Sequence, residues 1–137
     1  MFKRLAHICI GANNLAVTEN FYCNILGMKK GFEFVKNGAP YGFYAEVGET
    51  TFIEVFIQEV AANLDRPIIK HFCLEVEDLD DVILTVRERG GQITDKKMGC
   101  DRSWQAWMTD PSGVAVEIMQ YTATSKQFTG EPCEVDW

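Results

Sequence analysis

The sequence predicts an α+β protein built from two βαβββ modules in tandem. Strand signals outnumber helix signals, and the order of one strand, one helix and three strands occurs twice along the 137 residues. The second half also matches the first, because setting His7 on His71 places Cys9 on Cys73 at the same offset. A fixed offset of this kind is typical of an internal repeat.

The two predicted helices have marked ends. The clearer one begins at Asp78, an N-cap residue followed by acidic residues in the first turn, and it ends before the glycine pair that starts at Gly90. Its apolar residues recur with helical spacing from Leu79 onward. The other helix spans residues 14–26, has apolar residues along one face, and ends at Gly27.

The eight strand signals share period-2 alternation or enrichment in β-branched and aromatic residues. Turn sequences such as "KNGAP" and "DPSG" separate several of them. The predicted strands cover residues 6–10, 31–35, 41–47, 50–58, 70–76, 94–98, 104–109 and 114–120. Three consecutive strands after each helix complete the two modules.

We expect one domain over residues 1–121, with a first module at about 1–60 and a second at about 68–121. Residues 122–137 form a C-terminal tail without a clear hydrophobic period. The tail either packs across a dimer or over the site, or it is a disordered end.

Composition and charge narrow the possible functions. With 47% apolar and 24% charged residues, the chain has the composition of a globular domain. A net charge of −7 argues against nucleic-acid and anionic-membrane partners, since both require a basic patch. No apolar run approaches the roughly 20 residues that a membrane span needs. The five cysteines are dispersed, which is typical of free thiols in a reducing compartment. We therefore expect a cytoplasmic protein that acts on a small molecule.

Four residues are candidate metal ligands. The chain has two histidines, His7 and His71, and both stand near the start of an alternating run. The last strand of each half has one glutamate among apolar residues, Glu54 in "TFIEVFI" and Glu117 in "VAVEIMQ". A buried carboxylate is costly unless it is paired or coordinated, and the strand period should turn both glutamates inward. Two imidazoles and two carboxylates suit a divalent first-row metal, with waters or substrate oxygens completing the coordination.

Four stretches carry a family resemblance, and they cover nearly the whole chain through Tyr121: "LAHICIGANNLAVTENFYCNILGM", "FIEVFI", "IKHFCLEVEDLDDV" and "AWMTDPSGVAVEIMQ". They resemble the vicinal oxygen chelate superfamily, which includes glyoxalase I, methylmalonyl-CoA epimerase, extradiol dioxygenases, fosfomycin resistance enzymes and bleomycin-binding proteins. The resemblance implies that the two modules form a curved, cup-like mixed sheet around a metal, commonly within a homodimer.

The resemblance also implies a chemistry. Carried across residue by residue, the superfamily's ligand positions fall on His7, Glu54, His71 and Glu117, a set most similar to that of bacterial glyoxalase I. This implies a metal-dependent lyase or isomerase that chelates substrate oxygens and moves a proton through an enediolate, with Glu117 or Glu54 as the catalytic base. Nickel, cobalt or zinc is the expected ion, and iron or manganese also suits these donors. Two alternatives stay open: a methylmalonyl-CoA epimerase-like isomerase, and a small-molecule binding protein of the bleomycin or fosfomycin resistance type.

The substrate is less well defined than the metal ligands. Glutathione-dependent glyoxalases have an arginine and an asparagine where this chain has Gly11 and Gln58, and these two differences argue against glutathione as the substrate. The candidate pocket residues are Arg102, Trp107 and Tyr44. Arg102 would meet an acidic group of the substrate, or it is an ordinary loop arginine facing solvent.

Strand parity gives two further expectations. Trp104 and Trp107 stand on opposite strand faces, so at most one of them lines the cup. Cys9 and Cys73 share a face with the histidines, so they either line the cavity or, as we expect, are small core residues.

Overall fold

Each half of the chain forms its own four-stranded sheet with few helices, which confirms the predicted α+β class and the repeated βαβββ order. The computed structural model describes residues 3–58 and 69–133. The chain divides into two compact units, the first within Met1–Asp65 and Asp110–Gly113 and the second within Arg66–Thr109 and Val114–Trp137. The turn sequence "DPSG" therefore groups with the first unit, although it lies in the second half of the sequence.

Over its described residues the first unit contains the α-helix α1 (Leu15–Glu19), the π-helical segment Asn20–Ile25 and four strands: β1 (His7–Ala12), β2 (Lys29–Lys36), β3 (Ala39–Val47) and β4 (Thr51–Ile57). The strand order in the sheet is β1-β4-β3-β2, in which β1 runs parallel to β4 and the other pairs are antiparallel. The first strand therefore lies beside the last strand of the unit.

The second unit repeats this order as β5-β8-β7-β6, with β5 parallel to β8. Its elements are β5 (Phe72–Glu75), α2 (Leu79–Glu88), β6 (Lys97–Met98), β7 (Trp104–Thr109), β8 (Ala115–Gln120) and α3 (Lys126–Thr129). In the described part of the chain, no helix combines the length and the apolarity that a membrane span requires.

The core of the first unit lies on one face of its sheet. Ile53 and Val55 of β4 are fully buried, and they stand opposite the equally buried Ala45 and Phe43 of β3. Helix α1 contacts β4, and Phe21 from the segment after it is also buried. Because side chains alternate along a strand, the residues between these core positions lie on the other, open face.

The second unit is built in the same way. Val116 and Ile118 of β8 are fully buried and pair with Met108 and Ala106 of β7. Helix α2 contacts both strands and buries its apolar stripe, Leu79, Ile83 and Val86. Burial of large aliphatic side chains stabilises each unit by about 2 kcal/mol per residue.

The first predicted helix has two parts. Asn14 caps α1, and its side chain accepts a backbone hydrogen bond from the first turn at 3.2 Å. The segment Asn20–Ile25 is wound as a π-helix, and the amide of Leu26 then donates to the carbonyl oxygen of Phe21 at 3.0 Å. The periodicity of residues 14–26 predicted the helix but not its wider turn.

The ends of the second predicted helix are confirmed. The Asp78 side chain accepts hydrogen bonds from the backbone amides of Asp80 and Asp81 at 3.0 and 3.2 Å. After the helix, Gly90 has a φ of 80°, a conformation in which glycine carries no steric penalty.

Two predicted strands are each three residues shorter than expected. The strand expected over residues 94–98 forms only as β6, because the hydroxyl of Thr94 accepts the backbone N–H of Trp107 at 2.8 Å and so replaces a ladder carbonyl. The strand expected over residues 70–76 begins at Phe72, so His71 lies one residue before β5.

The described part of the tail folds onto the turn before β7. The backbone amide of Lys126 donates to the backbone carbonyl of Asp101 at 2.7 Å. The side-chain amide of Gln127 donates to the carboxylate of Asp101 at 2.6 Å. The hydroxyl of Ser103 donates to that of Ser125 at 2.9 Å, and both serines are fully buried. The tail is therefore ordered over residues 122–133, and the expectation of a disordered end is wrong for these residues.

Candidate functional site

His7 and Glu54 lie side by side on the open face of the first sheet. The parallel pairing of β1 with β4 sets Cys9 opposite Glu54, and His7 precedes Cys9 on the same face. The Nε2 atom of His7 lies 3.8 Å from Oε2 of Glu54, and the two side chains are 44% and 16% exposed. The register of two strands thus brings together residues that are 47 positions apart in the sequence.

His71 and Glu117 form the equivalent pair in the second unit. Cys73 stands opposite Glu117 in the parallel pairing of β5 with β8, as Cys9 does in the first unit. The Nε2 atom of His71 lies 3.2 Å from Oε2 of Glu117, and the side chains are 37% and 9% exposed. The second pair is therefore closer and better shielded than the first.

The glutamates differ in how far they turn inward. Glu117 is buried, as expected from its apolar strand. Glu54 is half-buried, together with Phe52 and Phe56 on the same face of β4. Within its own unit each glutamate lies on the sheet face opposite the helix-covered core, because it alternates along its strand with the fully buried residues.

An aromatic residue occupies the same position beside each glutamate. Tyr44 of β3 stands opposite Glu54, and its hydroxyl lies 3.5 Å from Nδ1 of His7. Trp107 of β7 stands opposite Glu117 in the second unit. Two of the three candidate pocket residues therefore lie beside the predicted ligands of their own unit.

Trp107 also contacts a candidate ligand histidine. Its ring meets the imidazole of His71 edge to face at 4.9 Å, and its indole N–H donates to Gln105 at 2.7 Å. Trp104 instead lies under the amine of Lys96, 5.1 Å from the ring centroid. Trp107 is therefore the tryptophan that flanks the candidate ligand.

The two cysteines extend the repeated pattern. Cys9 and Cys73 are exposed, so the expectation of core residues is wrong. Partial desolvation and a hydrogen bond to Glu54 raise the pKa of the Cys9 thiol to about 11. Desolvation and the charge of Glu117 raise that of Cys73 to about 12. Both thiols therefore keep their protons at neutral pH and act as donors to the carboxylates. The sequence signal for Cys9 and Cys73 was their spacing of two residues from the histidines, which puts a cysteine and a histidine on the same strand face.

Arg102 lies elsewhere in the second unit. It has a left-handed backbone conformation with φ of 65° in the turn before β7. It lines a cavity of about 490 Å³ together with Met98, Lys126 and Cys133, and the lining does not include His71 or Glu117. Its predicted role with a substrate is therefore not supported by a position beside the candidate ligands.

The donor sets of the two pairs suit a divalent cation. Ligands about 2.1 Å from one ion are about 3 to 3.5 Å apart when they are neighbours around it. The separation at His71–Glu117 falls in this range, and that at His7–Glu54 is slightly longer. Within either unit, the described residues hold no group of three or more His, Cys, Asp or Glu side chains that would bind a metal. Each pair on its own therefore offers two ligands.

The position expected to bind glutathione is filled by this chain's own side chain. Gly11 lies on the face of His7 and Cys9, and a Cβ placed there would come within 3.0 Å of Oε1 of Gln58. An arginine at position 11 would require Gln58 to move. The two departures from the glutathione-binding pattern are therefore in contact with each other.

Comparison with known proteins decides the family. The sequence profile of the Glyoxalase/Bleomycin resistance protein/Dioxygenase superfamily matches residues 4–118. The chain belongs to this superfamily. A search of curated proteins found no significant relative.

Solved structures of the superfamily fold resemble the chain at low identity. A glyoxalase family protein from Enterococcus faecalis superposes with a TM-score of 0.72 at 22% identity, covering 86% of this chain and 98% of its own. Lactoylglutathione lyase from Agrobacterium tumefaciens superposes with a TM-score of 0.65 at 18% identity, covering 85% of this chain and 92% of its own. TnmS3, an antibiotic binding protein from Streptomyces sp. CB03234, superposes with a TM-score of 0.69 at 15% identity, covering 88% of this chain and 98% of its own. At such identities these superfamily structures establish the fold alone.

Proposed function

We propose that the protein is a metal-dependent lyase or isomerase of the glyoxalase I kind. The observation that carries this proposal is the repeated His–Glu pair on the open face of each sheet, with N–O separations of 3.8 and 3.2 Å. On this proposal His7, Glu54, His71 and Glu117 are the ligands of a divalent ion. The same four residues suit nickel, cobalt or zinc, whose protein ligands include imidazole and carboxylate.

The proposed chemistry is a proton transfer between neighbouring carbons. A bound divalent ion would polarise two substrate oxygens and make the adjacent C–H bond more acidic. A glutamate then takes the proton from one carbon and returns it to the next, while the histidines stay in place. The protonated thiols of Cys9 and Cys73 donate to the glutamates and hold their carboxylates in position.

The differences between the pairs assign different roles to the glutamates. Glu117 is 9% exposed and 3.2 Å from its histidine, which suits a ligand that stays bound. Glu54 is 16% exposed and 3.8 Å from its histidine, with the Tyr44 hydroxyl 3.5 Å from that histidine, which suits a carboxylate that takes up and returns the proton. We therefore infer that Glu54 is the catalytic base, although both glutamates are candidates from their position.

Metal analysis of purified variants tests this proposal. We expect about one divalent ion per chain in the wild type, and none in His71→Ala. Glu117→Gln should weaken metal binding by about 100-fold or more. Glu54→Gln should keep most of the metal but lose about 100-fold or more in turnover. Glu88 is an exposed residue at the end of α2, and Glu88→Gln makes the same change in charge. This control variant should alter neither the metal binding nor the turnover.

Substrate screening completes the test. Hemithioacetals, methylmalonyl-CoA and fosfomycin represent the lyase, epimerase and resistance branches, and solvent deuterium entering the substrate carbon reports proton transfer directly. Metal-free wild-type protein, or full turnover in both glutamate variants, would contradict the proposal.

A second function has its own supporting observation. Several aromatic rings are accessible on the open face of the first sheet, with Phe32 54% exposed. This favours a protein that binds a small molecule without converting it. Binding that is equally tight after metal removal, with no turnover of any tested compound, would support this alternative.

A further inference from the structure

Two cysteines of the second unit lie together at the cavity that Arg102 lines. Cys100 belongs to the turn before β7 and Cys133 to the tail, and both line this cavity of about 490 Å³. The two thiols are within hydrogen-bonding distance of each other, although the residues are far apart in the sequence. We call Cys100 and Cys133 the thiol pair.

Hydrogen bonds hold the tail against the residues that follow Cys100. The backbone amide of Lys126 donates to the carbonyl of Asp101 at 2.7 Å, and the hydroxyl of Thr122 donates to the carbonyl of Arg102 at 2.8 Å. The side-chain amide of Gln127 donates to the carboxylate of Asp101 at 2.6 Å. The two segments that carry the thiol pair are therefore joined without any covalent link.

A reversal of the chain after α3 directs the tail back toward Cys100. Gly130 has a left-handed backbone with φ of 68°, and its amide donates to the carbonyl of Lys126 at 2.8 Å. The amine of Lys126 also forms an ion pair with the carboxylate of Glu131. Cys133 follows two residues later, so the folded structure of the tail specifies its position beside Cys100.

The two thiols differ in their protons and their access to solvent. A hydrogen bond with Cys100 and partial desolvation raise the pKa of the Cys133 thiol to about 11. Cys133 therefore keeps its proton at neutral pH and donates it to the sulfur of Cys100. Cys100 is exposed. An accessible sulfur with a second thiol next to it is the arrangement of a reactive cysteine and its resolving partner.

The charges around the cavity favour an anionic reaction partner. Two cations, Arg102 and Lys126, line it. The amine of Lys126 is paired with Glu131, and the carboxylate of Asp101 accepts a hydrogen bond from Gln127. Arg102 is exposed, so its charge is accessible beside the thiol pair. A positive charge next to a reactive group raises the local concentration of anions.

We propose that the thiol pair is a redox site that reacts with small disulfides bearing carboxylates and closes to a Cys100–Cys133 disulfide. Disulfides in a reducing compartment are commonly transient and redox-sensing, which suits a pair of this kind. The site uses none of the candidate metal ligands, because the lining of the cavity does not include His71 or Glu117. The inference is therefore independent of the proposed lyase or isomerase function.

The reaction is two successive thiol–disulfide exchanges. The sulfur of Cys100 loses its proton and attacks one sulfur of the small disulfide, whose S–S bond breaks, and the first small thiol leaves with a proton. The sulfur of Cys133 then loses its proton and attacks the sulfur of Cys100, and the second small thiol leaves with a proton. The two cysteines lose two electrons, and the small disulfide gains them.

Mass spectrometry of the full-length protein tests the proposal. Reduced protein is incubated with oxidised glutathione, a disulfide with carboxylates, or with bis(2-hydroxyethyl) disulfide, which is neutral. Acid quenching, alkylation of the remaining thiols and peptide mapping without reduction then locate every linkage. With oxidised glutathione, we expect a Cys100–Cys133 link, the loss of two hydrogens in the intact mass, and no lasting glutathione adduct on either residue.

Variants assign the role of each residue. Cys133→Ser should retain a glutathione adduct on Cys100, because the resolving thiol is missing, and Cys100→Ser should form neither the adduct nor the link. Cys23→Ser changes a half-buried cysteine of the first unit and should leave the link unchanged. Far-UV circular dichroism checks that each variant folds.

The preference for an anionic disulfide has its own variant and control. Arg102→Gln should slow the reaction with oxidised glutathione by about tenfold and leave the reaction with the neutral disulfide unchanged. Arg89→Gln removes the same charge from an exposed residue at the end of α2, outside the cavity lining, and should change neither rate.

The outcomes support or overturn the inference whatever the metal analysis shows. A mapped Cys100–Cys133 link in the wild type, together with the trapped adduct in Cys133→Ser, supports it. Native protein that forms no such link, or that reacts only at Cys9 or Cys73, would overturn it. Equal slowing of both disulfides in Arg102→Gln would contradict the assignment of an anionic partner.

Discussion

Replacing Tyr22 with phenylalanine removes one hydroxyl from the core of the first unit. Tyr22 is fully buried, and its hydroxyl donates to Oδ2 of Asp110 at 3.0 Å. Burial and the charge of Asp110 raise the pKa of Tyr22 above its usual value, so the hydroxyl keeps its proton and stays a donor. Asp110 is itself 3% exposed. The substitution therefore removes a donor from a buried carboxylate.

The expected loss of stability follows from these contacts. A hydrogen bond to a charged group contributes about 1.5 to 3 kcal/mol. The ring of phenylalanine preserves the packing, and the other carboxylate oxygen of Asp110 still accepts from the amide of Ser112 at 2.9 Å. We therefore expect Tyr22→Phe to lower the free energy of unfolding by about 2 kcal/mol. For a chain of this size, this corresponds to a melting temperature lower by about 8 °C.

Urea unfolding followed by far-UV circular dichroism measures this loss. Tyr41→Phe is the matched control, because the half-buried ring of Tyr41 keeps its contact with Phe56, and we expect a change within about 0.5 kcal/mol. A Tyr22→Phe effect no larger than the control would refute the reasoning. A double-mutant cycle with Asp110→Ala, which removes the acceptor, then isolates the hydrogen bond, and we expect a coupling energy of about 1 to 2 kcal/mol.

Two further substitutions test the strand geometry and the tail. Gly42→Ala puts a Cβ 2.3 Å from a carbonyl oxygen of the neighbouring strand, and we expect it to lower the free energy of unfolding by about 3 kcal/mol in a urea titration. Gly31→Ala is the control, because its Cβ meets the nearest neighbour at 3.5 Å, and it should leave the stability almost unchanged. Burial opposes ionisation of Asp101, yet hydrogen bonds from Gln127 and Ser103 outweigh it and hold the pKa of Asp101 below its usual value. Its stabilising contribution is therefore present above about pH 4 and is lost as the pH falls further, so Asp101→Asn should cost about 1 kcal/mol at pH 7 and little at pH 3.

The candidate pairs could be predicted from the sequence because a strand has a short and rigid period. Alternation leaves each residue only two faces, and a parallel pairing of the first and last strands of a module joins residues at a fixed offset. His7 and Glu54 are therefore brought together by the same rule as His71 and Glu117, with N–O separations of 3.8 and 3.2 Å. The repeat made the rule visible, since each half supplied a check on the other.

The cysteines show two kinds of sequence argument in conflict. Residue size favoured a core position for Cys9 and Cys73, whereas parity put them beside the histidines. Both are exposed and interact with the glutamates, so parity was the better guide. Average preferences of a residue type are weak where a strand register specifies the face.

The cluster of contacting rings Phe32, Phe34, Tyr44, Phe52 and Phe56 on the open face of the first sheet could not be predicted from alternation alone. The pattern of β2 puts Lys30, Phe32 and Phe34 on one face, and only the register shift separates the lysine from the phenylalanines. A bulge is a property of the hydrogen-bonding partner as well as of the strand, so one strand's sequence does not specify it. The same limit applies to the π-helical segment after α1, whose apolar positions fit an ordinary helix over so few residues.

The two units share their ligand pairs but differ in what surrounds them, and this difference bears on how a repeated fold acquires a function. In the second unit Glu117 is shielded, and the ring of Trp107 packs edge to face against His71. In the first unit His7 and Glu54 are more exposed and lie next to five rings. Rigid, shielded donors favour tight metal binding, whereas accessible donors beside an apolar surface favour exchange with a substrate. On our proposal the second half therefore retains the metal, and the first half selects the substrate and moves the proton.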